Sequence, residues 1–421
     1  MIEIPDNFEN EPKLNDPDIG LEHMVNANKL DESFNKCKSN TSWKGSVQRF
    51  EMNKLSNYRA LQKEIRNDNY TQMPMTEFKQ SERGKDREIK AHHIRDRVVQ
   101  RSLNDNILLP RIDNHLIYDN GASRINKGLS FARERFEKHL HQAYFNYGSS
   151  AYVLLMDFSK FFDNILHNNL INLYSKYLTT AELNFVIKCI KEFEVDVSYL
   201  SDEEYQNYEN ILFNSLEYSQ IPKELRSSGE KMMPKSMGIG SQTSQISGLL
   251  YPSPIDHYCK TILGLKYYGR YMDDTYIIMN DKDKLKNLLN NILIPMYNSC
   301  GIFVNLKKTH IENIMNQITF LKINYTMQES GKLIRTISNS TIRREQRRIL
   351  ILKKLYDSRR ISLENVINCY RSWKYNYIKY DSGSHIHKLD ILFCSTFNLP
   401  IEATKRNIRT RDLLKDLHLL S

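Results

Sequence analysis

The sequence lacks most of the features that define several common protein classes. Only six of its 421 residues are cysteines and none forms a C-x-x-C pair, which argues against a zinc site or a disulfide framework. No apolar run approaches the roughly 18 residues of a membrane helix, and the amino terminus lacks the regions of a signal peptide. Neither a G-x-G-x-x-G loop nor a G-K-S/T phosphate loop is present. We therefore expect a soluble, cytoplasmic protein with no membrane partner.

What the sequence does have is an excess of positive charge. It contains 60 Lys and Arg residues against 50 Asp and Glu residues, which gives a formal net charge of +10. This balance favours a polyanionic partner such as nucleic acid, although charge alone is weak evidence. A chain of 421 residues can bury a sizeable core, and its length predicts two to four subdomains.

Three aspartates lie where predicted strands end or turn. The short apolar run 151–156 predicts a buried strand that ends at Asp157. Two β-rich runs, 265–271 and 275–279, predict a hairpin with Asp273 and Asp274 at its tip. Taken singly, an aspartate after a strand most often caps a helix, and an Asp-Asp pair at a hairpin usually serves the turn. Together, on paired strands, such carboxylates can hold Mg²⁺, which prefers oxygen ligands.

Several motifs, in order along the chain, resemble those of the reverse transcriptase family. Tyr271-Met272-Asp273-Asp274 resembles the catalytic hairpin of the family, and Met156 to Asp163 resembles the strand with the first metal ligand. Met237 to Gln245 is similar to the nucleotide- and template-contacting loop of bacterial members. The segments 87–100 and 305–321 resemble the fingers and the later palm motifs. The resemblance is to the diversity-generating and unknown-group, defence-associated branch of bacterial enzymes.

This resemblance implies a metal-dependent polymerase. Nucleotidyl transfer uses two divalent ions about 3.5–4 Å apart, which in this family are Mg²⁺, with Mn²⁺ as an alternative. Asp157, Asp273 and Asp274 would be the catalytic residues and metal ligands, and Asp273 is a firmer ligand than its neighbour because adjacent side chains alternate faces. The substrates would be dNTPs and an RNA template, and the product DNA.

The resemblance also implies a set of nucleotide contacts. Phe162 falls at the position of an aromatic steric gate against the ribose 2′-hydroxyl, with a core aromatic beside Phe161 as the alternative. Gln245 would lie beneath the nucleotide, and a guanidinium in the fingers would hold the triphosphate. The predicted nucleotide-binding residues are Phe158, Phe162, Arg87, Lys85, Gln245 and Lys307. For the two lysines a merely solvated side chain is the alternative.

The C-terminal third predicts a surface for template and primer. Basic residues recur at helical spacing beside Ile342, Ile349 and Leu352, as in a helix with one basic and one apolar side. Such a helix can follow a phosphate backbone without reading sequence, and a solvated face is the alternative. The predicted nucleic-acid contacts are Arg343, Arg344, Arg347, Arg348, Arg371 and Trp373.

Residue patterns also predict several local elements: a basic hairpin at 83–90, helices at 94–109, 131–143 and 285–297, a glycine-rich loop from Gly238 to Gly248, and a strand at 318–325. The acidic stretch 192–209 would repel a phosphate backbone, so we expect it on an outer surface.

We therefore predict an α+β right-hand polymerase with an antiparallel palm sheet. Its parts are an extension at 1–80, fingers at 81–150, a palm at 151–330 with an acidic insert near 192–209, and a helical basic thumb at 331–421. We expect no RNase H, integrase or endonuclease module after the thumb. The expected role is antiphage defence with a non-coding RNA. Diversity generation, template-independent or protein-primed DNA synthesis, RNA synthesis and a non-catalytic RNA scaffold stay open, as does the oligomeric state.

Overall fold

The computed structural model describes residues 20–39, 41–82, 85–206, 221–222, 228–238, 240–406 and 408–416. The chain divides into two compact units. The first comprises Met1–Phe136 and Leu154–Ile311, and the second comprises Glu137–Val153 and Glu312–Ser421. The extension, fingers, palm and thumb predicted from the sequence have boundaries that differ from those of the two units, and they stay a prediction. Within the described residues, no helix combines the length and the apolar character that crossing a membrane requires.

Helices make up most of the first unit. They are α1 (Leu21–Met24), α2 (Ala27–Lys38), α3 (Gly45–Met52), α4 (Lys54–Arg66), α5 (Ile94–Leu103), α6 (Leu109–Ile112), α7 (Leu129–Tyr147), which continues past Phe136, α8 (His167–Tyr174), α9 (Thr180–Ile190), α10 (Asp202–Gln206), α11 (Gln242–Leu250), α12 (Ser253–His257), α13 (Lys282–Leu288) and α14 (Ile294–Ser299). Short π-helical turns follow α5, α12 and α13. The predicted helices at 94–109, 131–143 and 285–297 are confirmed.

The N-terminal helices belong to the core of the first unit. In α2, the side chain of Asn26 caps the helix by accepting the amide hydrogen of Asn28 at 2.9 Å. Its buried face includes Leu30 and Phe34, which cluster with residues of α3 and α4 and with Ile94 and Val98 of α5. Since this cluster excludes apolar surface from water, the residues from Gly20 onward are integrated with the helix that follows the predicted fingers hairpin.

The strands before residue 314, two of which extend from the first unit into the second, form one four-stranded central sheet and several two-stranded sheets. They are β1 (Thr76–Glu82), β2 (Lys85–Ala91), β3 (Tyr152–Met156), β4 (Phe158–Ser159), β5 (Glu194–Asp196), β6 (Met232–Pro234), β7 (Tyr268–Tyr271), β8 (Asp274–Met279), β9 (Phe303–Val304) and β10 (His310–Asn313). The central sheet has the order β10-β3-β8-β7. The predicted buried strand is confirmed as β3, in which Val153 to Met156 are buried.

The predicted catalytic motif lies on an antiparallel hairpin, as expected. Tyr268 pairs with Ile277 and Tyr271 with Asp274, so that β7 and β8 are joined by a two-residue loop. The first loop residue, Met272, has a φ of 55°. Residues other than glycine rarely adopt this left-handed backbone conformation, and a methionine held there is strained.

The glycine-rich segment differs from its prediction. The loop was expected to run from Gly238 to Gly248, but α11 begins at Gln242, so Gln245 and Gly248 lie on a helix. The reason is the apolar spacing of Ile246, Leu249 and Leu250, which are buried on one face. The loop itself is therefore limited to the residues before Gln242.

The acidic insert is in part a small sheet and a short helix. β5 pairs antiparallel with β6, with Val195 opposite Met233. Asp202, Glu203 and Glu204 are exposed in α10, consistent with the predicted outer surface. The remainder of the insert, from residue 207, lies outside the described residues.

The second unit combines a three-stranded antiparallel sheet with a helical core. Its strands are β11 (Ile318–Phe320), β12 (Ile323–Met327) and β13 (Leu333–Ile337), and its helices after the sheet are α15 (Asn339–Asp357), α16 (Leu363–Tyr377), α17 (Gly383–Phe397) and α18 (Thr410–Asp416). The single strand predicted for 318–325 is wrong. Leu321 and Lys322 have φ values of 46° and 73° and turn the chain between β11 and β12. Neither is a glycine or an asparagine, so the turn left no signal in the sequence.

Candidate active site

The first predicted metal ligand, Asp157, directly follows β3. Its carboxylate accepts hydrogen bonds from the Lys308 ammonium at 2.6 and 2.7 Å and from the Asn305 amide at 3.2 Å. The main-chain N–H of Asn305 also donates to the Asp157 carbonyl at 2.7 Å. The Asp157 side chain is 16% exposed and that of Lys308 is 51% exposed. The carboxylate is thus fixed by a turn that immediately follows β9, with a cation on both of its oxygens.

The other two predicted ligands lie at the tip of the β7–β8 hairpin. Asp273 is the second residue of the two-residue loop, and Asp274 is the first residue of β8. Because β3 and β8 are neighbours in the sheet, the strand that ends before Asp157 pairs with the strand that begins at Asp274. Both hairpin aspartates are partly exposed.

Carboxylate oxygens are the donors that Mg²⁺ and Mn²⁺ prefer, so the chemistry of these three aspartates fits a divalent cation. Across the described part of the chain, however, no three His, Cys, Asp or Glu side chains are gathered closely enough to be a metal-binding group. At Asp157 the positive charge is supplied by Lys308. The two-ion site stays a prediction that rests on donor chemistry and on strand pairing.

The predicted steric gate, Phe162, lies in a short 3-10 turn after β4 and is partly exposed. Its ring packs against α11 at Gly248, where an added Cβ would lie 2.9 Å from Phe162 Cε1. Real Cβ contacts are essentially never that short, so only glycine leaves room for the ring. Phe161, by contrast, is buried. Phe161 is therefore part of the core, whereas Phe162 is partly exposed.

Gln245 lies on α11 and is held by the loop before α7. Its side-chain oxygen accepts a hydrogen bond from the Ser123 hydroxyl at 3.3 Å. A polar cleft of about 460 Å³ opens beside it, with Lys29, Lys36 and Arg101 among its lining residues. Lys36 and Arg101 share the carboxylate of Asp105, at 2.7 and 2.8 Å. The helix that carries Gln245 thus borders a cleft to which the N-terminal helix α2 also contributes.

A family model described as reverse transcriptase (RNA-dependent DNA polymerase) matches residues 56–325, which is well over half of the chain. The chain belongs to the reverse transcriptase family. The matched region includes Asp157, Phe162, Gln245 and the β7–β8 hairpin, so the whole predicted catalytic constellation lies within the reverse transcriptase domain.

No curated protein matches this chain. Among solved structures, 221 chains match. One of them is telomerase from Candida albicans in complex with a TWJ fragment of telomeric RNA, which is 14% identical with a TM-score of 0.41. The alignment covers 82% of this chain and 61% of the telomerase chain, so this chain spans less than two thirds of that protein's length.

The remaining predicted nucleotide contacts have different outcomes. The side chains of Lys85 and Arg87 lie outside the described residues, although the predicted hairpin is present as β1 and β2. Lys307 is exposed and stays a prediction. Phe158 is corrected: its side chain is 3% exposed and packs on Tyr297, with ring centroids 4.7 Å apart, so the ring belongs to the core.

The predicted basic helix is α15 of the second unit. Arg343, Arg344 and Arg347 are exposed, while Arg348 is partly exposed and pairs with Glu345 at 3.4 Å. Ile342, Ile349 and Leu352 are buried in the helical core, which confirms the predicted two-sided helix. Whether its basic face binds nucleic acid stays a prediction.

Of the other two predicted nucleic-acid contacts, Arg371 is corrected and Trp373 stays a prediction. Arg371 is 8% exposed. Its guanidinium donates to the carbonyls of Ala403 and Ile408, each at 2.8 Å, and these hydrogen bonds connect the two residues to α16. Trp373 packs against the same helical core and stacks with Tyr370. The Arg371 side chain is thus used inside the second unit, whereas Trp373 is partly exposed.

Sequence reasoning missed Lys308 and Arg270. Lys308, rather than its neighbour Lys307, contacts Asp157. Arg270, directly before the catalytic motif, is buried and forms an ion pair with Asp256 at 2.7 Å. A charged residue between the apolar positions of a predicted strand was the available signal for Arg270, since buried charges require partners.

Proposed function

We propose that this protein is an RNA-directed DNA polymerase that extends a primer along an RNA template with dNTPs. The observation that carries the proposal is the pairing of β3 with β8, which joins the strand preceding Asp157 to the strand that Asp274 begins. This strand pairing occurs in a chain whose residues 56–325 match the reverse transcriptase family.

Each residue of the site has a distinct part in this proposal. Asp157, Asp273 and Asp274 would hold two Mg²⁺ ions, which when bound activate the primer 3′-hydroxyl and neutralise the leaving pyrophosphate. Lys308 balances the charge of Asp157. The Phe162 ring, backed by Gly248, excludes a ribose 2′-hydroxyl and so selects dNTPs. Gln245 supports the nucleotide from α11.

Primer extension tests the activity directly. Purified protein with Mg²⁺, a primed RNA and dNTPs should extend the primer, and Asp273→Asn should abolish extension because one ligand charge is lost. Asp283→Asn is the matched control, since this aspartate is 89% exposed and pairs with the surface residue Lys286. Extension by Asp273→Asn at the wild-type rate would refute the proposed chemistry.

The nucleic acid that copurifies with the protein identifies template and primer. We propose a dedicated non-coding RNA as the template. Sequencing should then return one RNA species together with its complementary DNA. A product that stays on the protein after denaturation would instead indicate priming by a protein hydroxyl, and a DNA without any matching RNA would indicate synthesis without a template.

For the biological role we propose bacterial antiphage defence. The proposal draws on the N-terminal helices built into the first unit and on the acidic insert, two additions to the core motifs. Bacteria that express the wild-type protein should plate phage less efficiently than bacteria that express Asp273→Asn. Equal plating on the two strains would reject this role and leave the polymerase activity untouched.

A further inference from the structure

A buried ion pair adjoins the catalytic motif. The side chains of Arg270, which precedes Tyr271, and Asp256 of α12 are 0% and 1% exposed. Arg270 Nε donates to the two carboxylate oxygens at 3.0 and 2.9 Å, and Nη2 donates to Oδ2 at 2.7 Å. The Tyr268 hydroxyl also donates to this carboxylate. Because a buried charge is stable only with its partner, neither member can be removed alone without leaving an uncompensated charge.

The same guanidinium holds three main-chain carbonyls. Nη1 donates to Gly248 at 3.2 Å and to Met272 at 3.1 Å, and Nη2 donates to Leu249 at 2.8 Å. An arginine has five N–H donors in a fixed planar fork, and with the carboxylate included Arg270 uses all of them. A lysine at this position would offer three donors on one atom and could not span the same acceptors.

Each carbonyl belongs to an element that the proposed chemistry needs. Met272, with its φ of 55°, is the strained residue of the catalytic turn beside Asp273. Gly248 and Leu249 lie in the last turn of α11, where helix carbonyls have no partner within the helix. Arg270 thus stabilises a strained turn and a helix end with one side chain.

The helix end is also the wall behind the steric gate. Gly248 is the residue against which the Phe162 ring packs, with no room for a Cβ between them. A shift of α11 at this point would therefore move the surface that sets the position of the ring. The main chain of Arg270 is fixed as well, because its N–H donates to the Asp119 carbonyl and its carbonyl accepts from the Gly121 N–H, both at 3.1 Å.

We infer that Arg270 and Asp256 are positioning residues that hold the catalytic turn and the backing of the sugar-selecting ring in one geometry. The inference rests on the proposed function and deepens it. Loss of the pair should lower the rate of nucleotide transfer and relax the choice between dNTPs and rNTPs in the same variant. A residue that served folding alone would change neither property in the protein that remains folded.

The test is Arg270→Lys, measured by primer extension with dNTPs and with rNTPs. We expect kcat for dNTPs to fall about 10²-fold with little change in KM, as for a misplaced reacting group. The ratio of kcat/KM for dNTPs over rNTPs should fall about tenfold. The matched control is Arg111→Lys, because Arg111 and Glu182 form a second buried ion pair, at 2.9 Å. This control should lower Tm and leave the discrimination ratio unchanged.

The outcomes separate the inference from the proposed function. If wild type does not extend primers, the proposed function fails. If wild type extends them and folded Arg270→Lys matches it in kcat and sugar choice, the positioning inference is overturned and the function stands. Should Arg270→Lys not fold, Asp256→Asn, which keeps the side-chain shape, is measured in the same way. If neither variant folds while Arg111→Lys does, the pair is a folding element and the inference is withdrawn.

Discussion

Lys308 occupies both oxygens of Asp157, so a divalent cation that binds this carboxylate has to displace the ammonium. We predict that Lys308→Gln binds Mn²⁺ more tightly than wild type. Glutamine keeps most of the side-chain length and removes the competing charge. The lysine side chain is 51% exposed and the aspartate side chain is 16% exposed, so the ion pair lies at the protein surface. The lysine can therefore leave the carboxylate without disrupting the fold.

The size of the effect follows from this exposure. Ion pairs between a solvated lysine and a carboxylate contribute about 0–1 kcal/mol. Two short contacts to a carboxylate that is mostly covered put this pair at the upper end of that range. Removing a competitor worth about 1 kcal/mol should therefore lower the dissociation constant for Mn²⁺ about fivefold, given that about 1.4 kcal/mol corresponds to tenfold.

Titration calorimetry of MnCl₂ into the protein without nucleic acid measures this constant independently of activity. Asp157→Asn should abolish the binding that Lys308→Gln strengthens. Lys286→Gln is the matched control, because Lys286 is a surface lysine, 54% exposed, that pairs with Asp283. Weaker binding by Lys308→Gln than by wild type would mean that the lysine supports the ion instead of competing with it, and the reasoning would be wrong.

Four further predictions address the gate, the basic helix, a close backbone approach and a buried lysine. Phe162→Ala should raise the use of rNTPs relative to dNTPs at least about tenfold in primer extension, whereas Phe145→Ala, at an 89% exposed position, should not. Alanine at Arg343, Arg344 and Arg347 together should flatten the slope of log affinity for single-stranded RNA against log salt by about 2; the same change at Lys282, Lys284 and Lys286 should leave it unaltered. Gly238→Ala should cost about 1–3 kcal/mol in urea unfolding, because the Cβ would lie 2.2 Å from Phe193 Cε1, while Gly383→Ala, with nothing within 4 Å, should not destabilise. Burial lowers the pKa of Lys235 from 10.5 to about 6. Between these two pH values the unfolded chain binds the proton and the folded chain does not, so the lysine destabilises the folded protein at pH 7. Lys235→Met should therefore raise Tm at pH 7, and the difference in Tm from wild type should shrink towards pH 10.

The elements that sequence could predict are those whose signal is local. The run 151–156 is short and apolar throughout, which favours a buried strand. The two β-rich runs on either side of Met272 favour a hairpin. The basic and apolar positions of α15 repeat at helical spacing, which is why its two sides were predicted correctly. In each case neighbouring residues alone decide the conformation.

Long-range contacts decided the rest. Arg371 looks like a surface arginine in sequence, yet it is buried because carbonyls more than 30 residues away accept its hydrogen bonds. The choice between Lys307 and Lys308 depends on how the turn after β9 presents each side chain to Asp157, about 150 residues earlier in the chain. The turn at Leu321 and Lys322 is made by residues that carry no turn preference, so the sheet around it imposes the conformation.

The strained turn and the buried arginine are best understood together. A methionine at a φ of 55° persists only where its surroundings stabilise that conformation, and its carbonyl accepts a hydrogen bond from Arg270, two residues earlier. That arginine can be buried only because Asp256, fourteen residues before it, neutralises its charge. The residue that we infer to hold the loop of Asp273 is therefore found neither among the proposed metal ligands nor among the proposed nucleotide contacts, but in the strand that leads to them. A polar residue in the apolar approach to a catalytic turn is thus a place to look for a positioning group.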